Sequence, residues 1–429
     1  MNFKKIAAAV MAVCVICGAL PVFESVCPSC IISANATVEM PTPFSSNGIN
    51  YKIYSDHAEV GSCDESKSGA IAIPSSVEGK PVTVIGDSAF LNNKLITSVV
   101  LPDTVTLIDN YAFKNCSSIS SLNMGANVET LGKYAFFGNV ILNDIKWSSK
   151  LKTMGEHAFA ECSALTSLKL PDSLTTMGIA AFSGCEGIVK IEIGDNITSL
   201  ENSVFLACRS ATSVKLPSKL KSINKTAFMN CNNLQSLSLP STVETIGEYA
   251  FEYCSQLKSV VIPDSVKNLG SGIFESCELL EEVKLGSGMS EVSGSMFRKC
   301  YNLSSITWSN SIVTIGSAAF SGCNSLESVK LPDSVVNIRT SAFATCQNLK
   351  TIDLGKNTSG IENYAFENCS KLENIIFSEK LSSLGQGVFY DCTSLKSITF
   401  PESMRTIGKF CFDDCDSLTT VVAPVDTTK

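Results

Sequence analysis

Cysteine is the most chemically suggestive residue type in this 429-residue chain, with nineteen copies. Thirteen of them fall on steps of 23 residues: Cys116, Cys162, Cys185, Cys208, Cys231, Cys254, Cys277, Cys300, Cys323, Cys346, Cys369, Cys392 and Cys415. A thiol can ligate a metal, form a disulfide, attack as a nucleophile or fill space as a small hydrophobe. The constant spacing decides among these. Equivalent side chains on stacked units run parallel, whereas a tetrahedral metal site needs converging ligands. A disulfide likewise needs Cβ vectors aimed at each other, and thirteen thiols cannot all pair. Asn93 and Asn139 take the same column in two further copies. Exchange of Cys for Asn points to a small buried side chain that donates to backbone carbonyls, so the column is read as a reduced structural ladder.

The other reactive residues carry less. Cys27-Pro28-Ser29-Cys30 has the spacing of a redox pair, but it precedes the expected cleavage point of an export signal. Cys411 stands where alanine is usual, as in Ala250, and is read as a packing substitute. Cys63 is either free or a link to a second chain. The only histidines are His57 and His157, far apart in sequence, which gives a His-based metal site or nucleophile almost no raw material. No G-x-S-x-G, phosphate-cradling glycine loop or H-E-x-x-H occurs. The chain is therefore expected to be no enzyme and to hold no cofactor or metal. Net charge of −8 argues against nucleic-acid binding, which needs a basic footprint.

A column of exposed small hydroxyls and amines is the better candidate for function. Ser98, Ser121, Ser167, Ser213, Ser236, Ser259, Ser305, Ser328 and Ser397 share one position of the 23-residue period. Two residues on stand Lys146, Lys169, Lys215, Lys284 and Lys330, with Val100, Val261, Ile376 and Val422 in other copies. Such a basic, partly apolar stripe on an acidic protein suits an extended recognition face. The ordinary alternative is solubility, since lysine on a sheet also discourages unwanted edge pairing.

The elements that hold these columns follow from one marker. Phenylalanine recurs at Phe90, Phe113, Phe136 and every 23 residues through Phe389 and Phe412, fifteen copies without insertion or deletion. A fixed period of this length is the signature of a solenoid, whose units bury their apolar faces only against neighbours. Nine and eleven residues after each marker stand inward-facing apolar residues, such as Val260 and Ile262, with Trp147 and Trp308 in the latter column. Alternation of this kind marks a short strand, and proline then ends it, as at Pro171, Pro263 and Pro332. Three times this position runs glycine, serine, proline over successive copies: Gly125, Ser148, Pro171; Gly286, Ser309, Pro332; and Gly355, Ser378, Pro401. The segment Ala250-Phe251-x-x-Cys254 has apolar residues at near-helical spacing, and a single helical or 3₁₀ turn is expected there. The fold class is thus α/β but β-rich, with fifteen coils.

These columns, in the form L-x-S-V-x-L-P-x-S-V-x-x-I-G-x-x-A-F-x-x-C, resemble the BspA-like leucine-rich repeat family of bacterial secreted and surface proteins. The resemblance covers residues 81–424, and the entry segment Ile73 to Gly86 is similar too. It implies extracellular display and, in some members, adhesion to host matrix proteins or other cells. No sorting tail of the kind found in many cell-wall members is visible. Lys4 and Lys5 before the apolar run Ile6 to Leu20, with Ala34-Asn35-Ala36, read as a secretory signal peptide over 1–36. Residues 37–80, with alternating segments at Ile49 to Tyr54 and Ala70 to Pro74, read as an N-terminal β cap, and 81–429 as the solenoid. The expected function is binding of an extracellular protein or glycan through the outward strand face, with no membrane insertion once the signal is removed. The alternative is a surface spacer or coat without a specific ligand, and the expected location is secreted or cell-surface.

Overall fold

The computed structural model describes residues 40–424. The chain divides into two units, Met1–Met40 and Pro41–Lys429, and the second contains the repeats. The signal-peptide reading and the Cys27–Cys30 pair lie outside the described residues.

Most coils carry two short strands because apolar residues alternate twice within the 23; in the coil of Phe228 the first is reduced to a single bridge at Ser236. In the coil of Phe251 the two are Ser259–Val261 and Asn268–Leu269. Val260 and Ile262 are buried while Val261 between them is exposed, the period-2 pattern of a half-buried strand. Pro263 ends the first strand, and its carbonyl accepts from Val266 N–H to close the turn. Both strands pair in parallel with their equivalents one coil away, Val260 opposite Val283 and Ile246 opposite Leu269. The inward residues of all coils form one continuous hydrophobic core.

A third ladder replaces the expected helical turn. No α- or 3₁₀-helix occurs among the described residues. Around Phe113, N–H groups of alternate residues point out of the coil: Tyr111 donates to Lys133 O, Phe113 to Ala135 O and Asn115 to Phe137 O, at 2.7–2.9 Å. The residues between them bond within the coil, Lys114 N–H to Tyr111 O and Cys116 N–H to Phe113 O. This alternation requires left-handed backbone at Tyr111 (φ 56°) and Asn115 (φ 58°). A helix cannot contain such residues, since each costs roughly 1–2 kcal/mol in a side-chain-bearing residue. The hydrogen bonds to the next coil offset that cost. The apolar spacing resembled a helix only because consecutive tight turns also bring every third or fourth residue to one side.

The marker rings lie along this ladder. From Phe90 to Phe412 each ring stacks on the next, with centroids 4.8–5.8 Å apart and planes within 18° of parallel.

At the N-terminal side, the segments expected as short strands are strands. β1 (Thr42–Ser46), β2 (Ile49–Ile53) and β3 (Ala58–Cys63) pair antiparallel. β4 (Gly69–Ala72) pairs in parallel with Ile96–Val100. β5 (Ser76–Val77) forms a tight hairpin with β6 (Lys80–Ile85), and β6 pairs in parallel with Leu107–Ile108. Parallel coil pairing therefore begins before residue 81, and the solenoid has about sixteen turns rather than fifteen.

Replacing Phe251 with Ala removes a ring stacked on both sides and is expected to cost about 3–5 kcal/mol. The same change at half-buried Phe412 should cost visibly less. Guanidinium unfolding of the two variants followed by circular dichroism checks the ranking.

Candidate binding surface

The cysteine ladder sits directly behind the marker rings. Its thiols are free and buried. Each donates from Sγ to the carbonyl of the Phe one coil earlier, as in Cys116 to Phe90 O at 2.9 Å and Cys254 to Phe228 O at 3.4 Å. Asn139 makes the same bond through Nδ2 to Phe113 O at 2.9 Å, and adds Phe136 O at 2.7 Å. Asn93 donates to Lys67 O and accepts from Leu95 and Ile96 N–H. Burial pushes the thiols up, to about 12 at Cys162, Cys231 and Cys346 and well above the usual thiol range at Cys185 and Cys277. A neutral, enclosed thiol is neither nucleophile nor ligand. Among the described residues no group of three or more His, Cys, Asp or Glu is placed to hold a metal ion, and no helix is long and apolar enough to cross a membrane.

Because these folded-state values exceed the ordinary 9.0, the ladder's contribution to stability is complete below about pH 9. It is lost as pH rises toward the folded values, since only the unfolded chain releases protons there. Unfolding midpoints measured in reductant should therefore fall steeply between about pH 9 and 12. Iodoacetamide labelling of the native protein, read by peptide mass, should modify half-exposed Cys63 and spare Cys162 through Cys369.

The outward strand columns are on the surface. Lys146, Lys169, Lys215, Lys284 and Lys330 are exposed, as are Ser259 and Val261, while Ser213 is half-buried. Neighbouring coils bring these residues into line but not into a uniform basic stripe. Lys169, Glu192 and Lys215 are successive partners, as are Val261, Lys284 and Thr307, and Lys330, Asp353 and Ile376. Glu192 accepts from Lys190 at 2.7 Å, and that hydrogen bond holds its carboxyl below the usual range.

The sheet of first strands is interrupted, and three of its breaks follow Asp144–Lys146, Ser305–Thr307 and Asn374–Ile376. The residue after each of these strands is aromatic: Trp147, Trp308 and Phe377. All three rings are half-buried and meet the marker Phe of the next coil edge-on, at 5.2 Å for Phe159, 5.6 Å for Phe320 and 6.3 Å for Phe389. Where proline would end the strand these coils have serine. Ser148 and Ser378 turn inward and donate to Ala126 O and Lys356 O, at 2.9 and 2.8 Å. The break beside Trp308 opens a cavity of about 230 Å³ between Ser304 and Lys330. Two larger cavities of about 650 and 640 Å³ adjoin it, one bordered by Trp308 and the other by Phe377. They share Lys330, Asp333, Lys356 and Asn357 as walls.

Fold and columns together identify the protein's relatives. The family model of the BspA type leucine rich repeat region matches residues 83–212, 199–327 and 313–429. The chain belongs to this family. A leucine-rich repeat protein of Bacteroides ovatus is similar in structure, with TM-score 0.71 and 26% identity over 89% of this chain and 100% of that one. A leucine rich cell surface protein of Faecalibacterium prausnitzii shares 25% identity over 89% of this chain and 94% of that one, with TM-score 0.46. A leucine-rich repeat protein of Eubacterium ventriosum shares 19% identity over 90% and 96%, with TM-score 0.46. No curated protein matches the chain.

In this BspA-type chain the half-exposed aromatic coils are the surface feature that reading the columns did not single out. Their signal was present, because the glycine-then-serine runs at the strand-ending position coincide with the aromatic residues. Glycine is required one coil before the aromatic. Gly355 has φ +69°, and a Cβ there would lie 2.9 Å from Pro332 O. Gly355→Ala is therefore expected to destabilise the fold by about 1–3 kcal/mol, measurable as a lowered denaturation midpoint.

Proposed function

We propose that this BspA-type chain is an exported, non-enzymatic binding protein that recognises an extracellular protein or glycan through its outward strand face. The carrying observation is that successive coils set exposed Lys, Ser and apolar side chains in line on this face, from Lys146 to Ile376, above a closed core. Solenoids bind over extended surfaces of this kind. Export is supported by Lys4, Lys5 and the apolar run after them. The neutral buried thiols leave the ladder a structural role. The antiparallel strands β1–β3 are read as the N-terminal cap that lets the first coil meet water.

A second reading, a surface spacer without a specific ligand, is favoured by one feature. Many charges are paired between neighbouring coils, as in Lys133–Glu156, Lys225–Glu248 and Lys350–Glu327 at 2.8–2.9 Å. Such pairs keep the surface soluble without a partner.

A pull-down with the purified chain against extracellular matrix proteins and polysaccharides separates the two. Saturable capture of a component, reduced at least about tenfold by Lys169→Glu, Lys215→Glu and Lys284→Glu together, is the expected result. Capture unaffected by that triple change would remove the lysine face from the reading, and no capture at all would favour the spacer.

A further inference from the structure

The trench between Trp308 and Phe377 has a more specific chemistry than the rest of the face, and we infer that it binds a neutral oligosaccharide. This rests on the reading of the strand face as a binding surface and names its ligand class and place.

The first ground is the pair of aromatic ends. Trp308 and Phe377 stand three coils apart, a span of about 14 Å at the usual strand spacing. Each ring meets the marker Phe behind it edge-on, Phe377 also stacks one face on Phe400 at 5.5 Å, and both rings remain partly open to solvent. An aromatic face attracts the polarised C–H groups of a sugar ring, and a ring with one packed side and one wet side is set for that contact. The distance between the two rings suits a run of several sugars, whereas a single ring cannot reach both.

The second ground is the polar lining. Lys330, Asp333, Lys356 and Asn357 wall both cavities. Their charges cancel locally. Lys356 Nζ lies 2.7 Å from Asp333 Oδ2, and Lys330 Nζ lies 3.6 Å from Asp353 Oδ2. Lys380 donates to Asn357 Oδ1 at 2.6 Å, and Glu379 beside it balances its charge. The cavity bordered by Phe377 thus has three amines (Lys330, Lys356, Lys380) and three carboxylates (Asp333, Asp353, Glu379). A lining of this kind presents many donors and acceptors with no net charge. A polyanion such as a phosphorylated or sulfated chain needs a surplus of cations, and a basic peptide needs a surplus of carboxylates. Vicinal hydroxyls, which both donate and accept, match paired amine–carboxylate groups. The slot opened by the sheet break beneath Trp308 adds room for a ring to seat against Ile306 and Val329.

The chain has two tryptophans, Trp147 and Trp308. Trp147→Phe leaves Trp308 as the sole reporter, and Trp147 is outside the trench. Emission of this variant is titrated with cellohexaose, mannohexaose, maltohexaose and xylohexaose, with polygalacturonate and heparin as polyanions. The expected result is a saturable change with at least one neutral hexaose and a weaker one with its monosaccharide. Phe377→Ala and Lys330→Ala, each in the Trp147→Phe background, should raise Kd by about tenfold or more. Lys330 is exposed and its loss leaves the core untouched, so it reports on binding even if Phe377→Ala perturbs folding. No saturable change with any neutral hexaose, or a response to polyanions alone, overturns the inference. If a matrix protein is captured while no neutral hexaose gives a saturable change, the trench assignment falls while the binding function stands.

Discussion

The structure depends on hydrogen bonds that no coil can make by itself. Each 23-residue turn offers N–H and C=O groups at three places, along its short strands and around the marker Phe, and these ladders are completed by neighbouring coils except where the first-strand pairing lapses. Unpaired backbone groups beneath a buried ring would be costly, so each coil must repeat its neighbour's length and phase. The stacked phenyl rings and the Sγ bonds to Phe carbonyls impose the same demand from the side chains. An inserted residue would break all of these at once.

That demand explains which positions vary. The ring, the alanine before it and the thiol behind it are enclosed between coils, where one added methylene is felt. The outward strand columns lie on the surface, free of the packing between coils, and alternate among Lys, Glu, Ser, Val and Ile. The left-handed positions lie between these extremes. Asn92, Asn115, Gly138, Gly184, Asn230 and Gly322 fill one of them, residue types that tolerate positive φ. Tyr, Ser and Thr also occur at these positions, held by the bonds they donate to the next coil.

The aromatic coils are the principal departure from uniformity. Substituting serine for the strand-ending proline lets the chain turn inward at Ser148 and Ser378, and the parallel pairing lapses beside each ring. The cost is a few ladder bonds. What results is relief on the strand face, where cavities of about 650 and 640 Å³ border two of these rings. A regular scaffold thus carries its distinctive surface where its own rule is relaxed.

The repeat, the inward strands, the small buried Cys–Asn column and the outward placement of Lys169 or Val261 were legible in the amino-acid order, because each depends on a residue's own period and polarity. The tight turns around Phe113 were not, since apolar spacing near four residues is shared by a helix and by consecutive turns, and only the Asn and Gly at the second position hinted at the difference. The binding surface was legible as a column but not as a trench. Whether Lys330 stands free or pairs with Asp353, and whether Trp308 is covered or open, depends on contacts between residues 23, 46 or 69 apart. Sequence alone determined the coil, because local patterning decides which side of a strand is buried. Only tertiary structure decided the surface, because charge balance and cavity shape arise between coils.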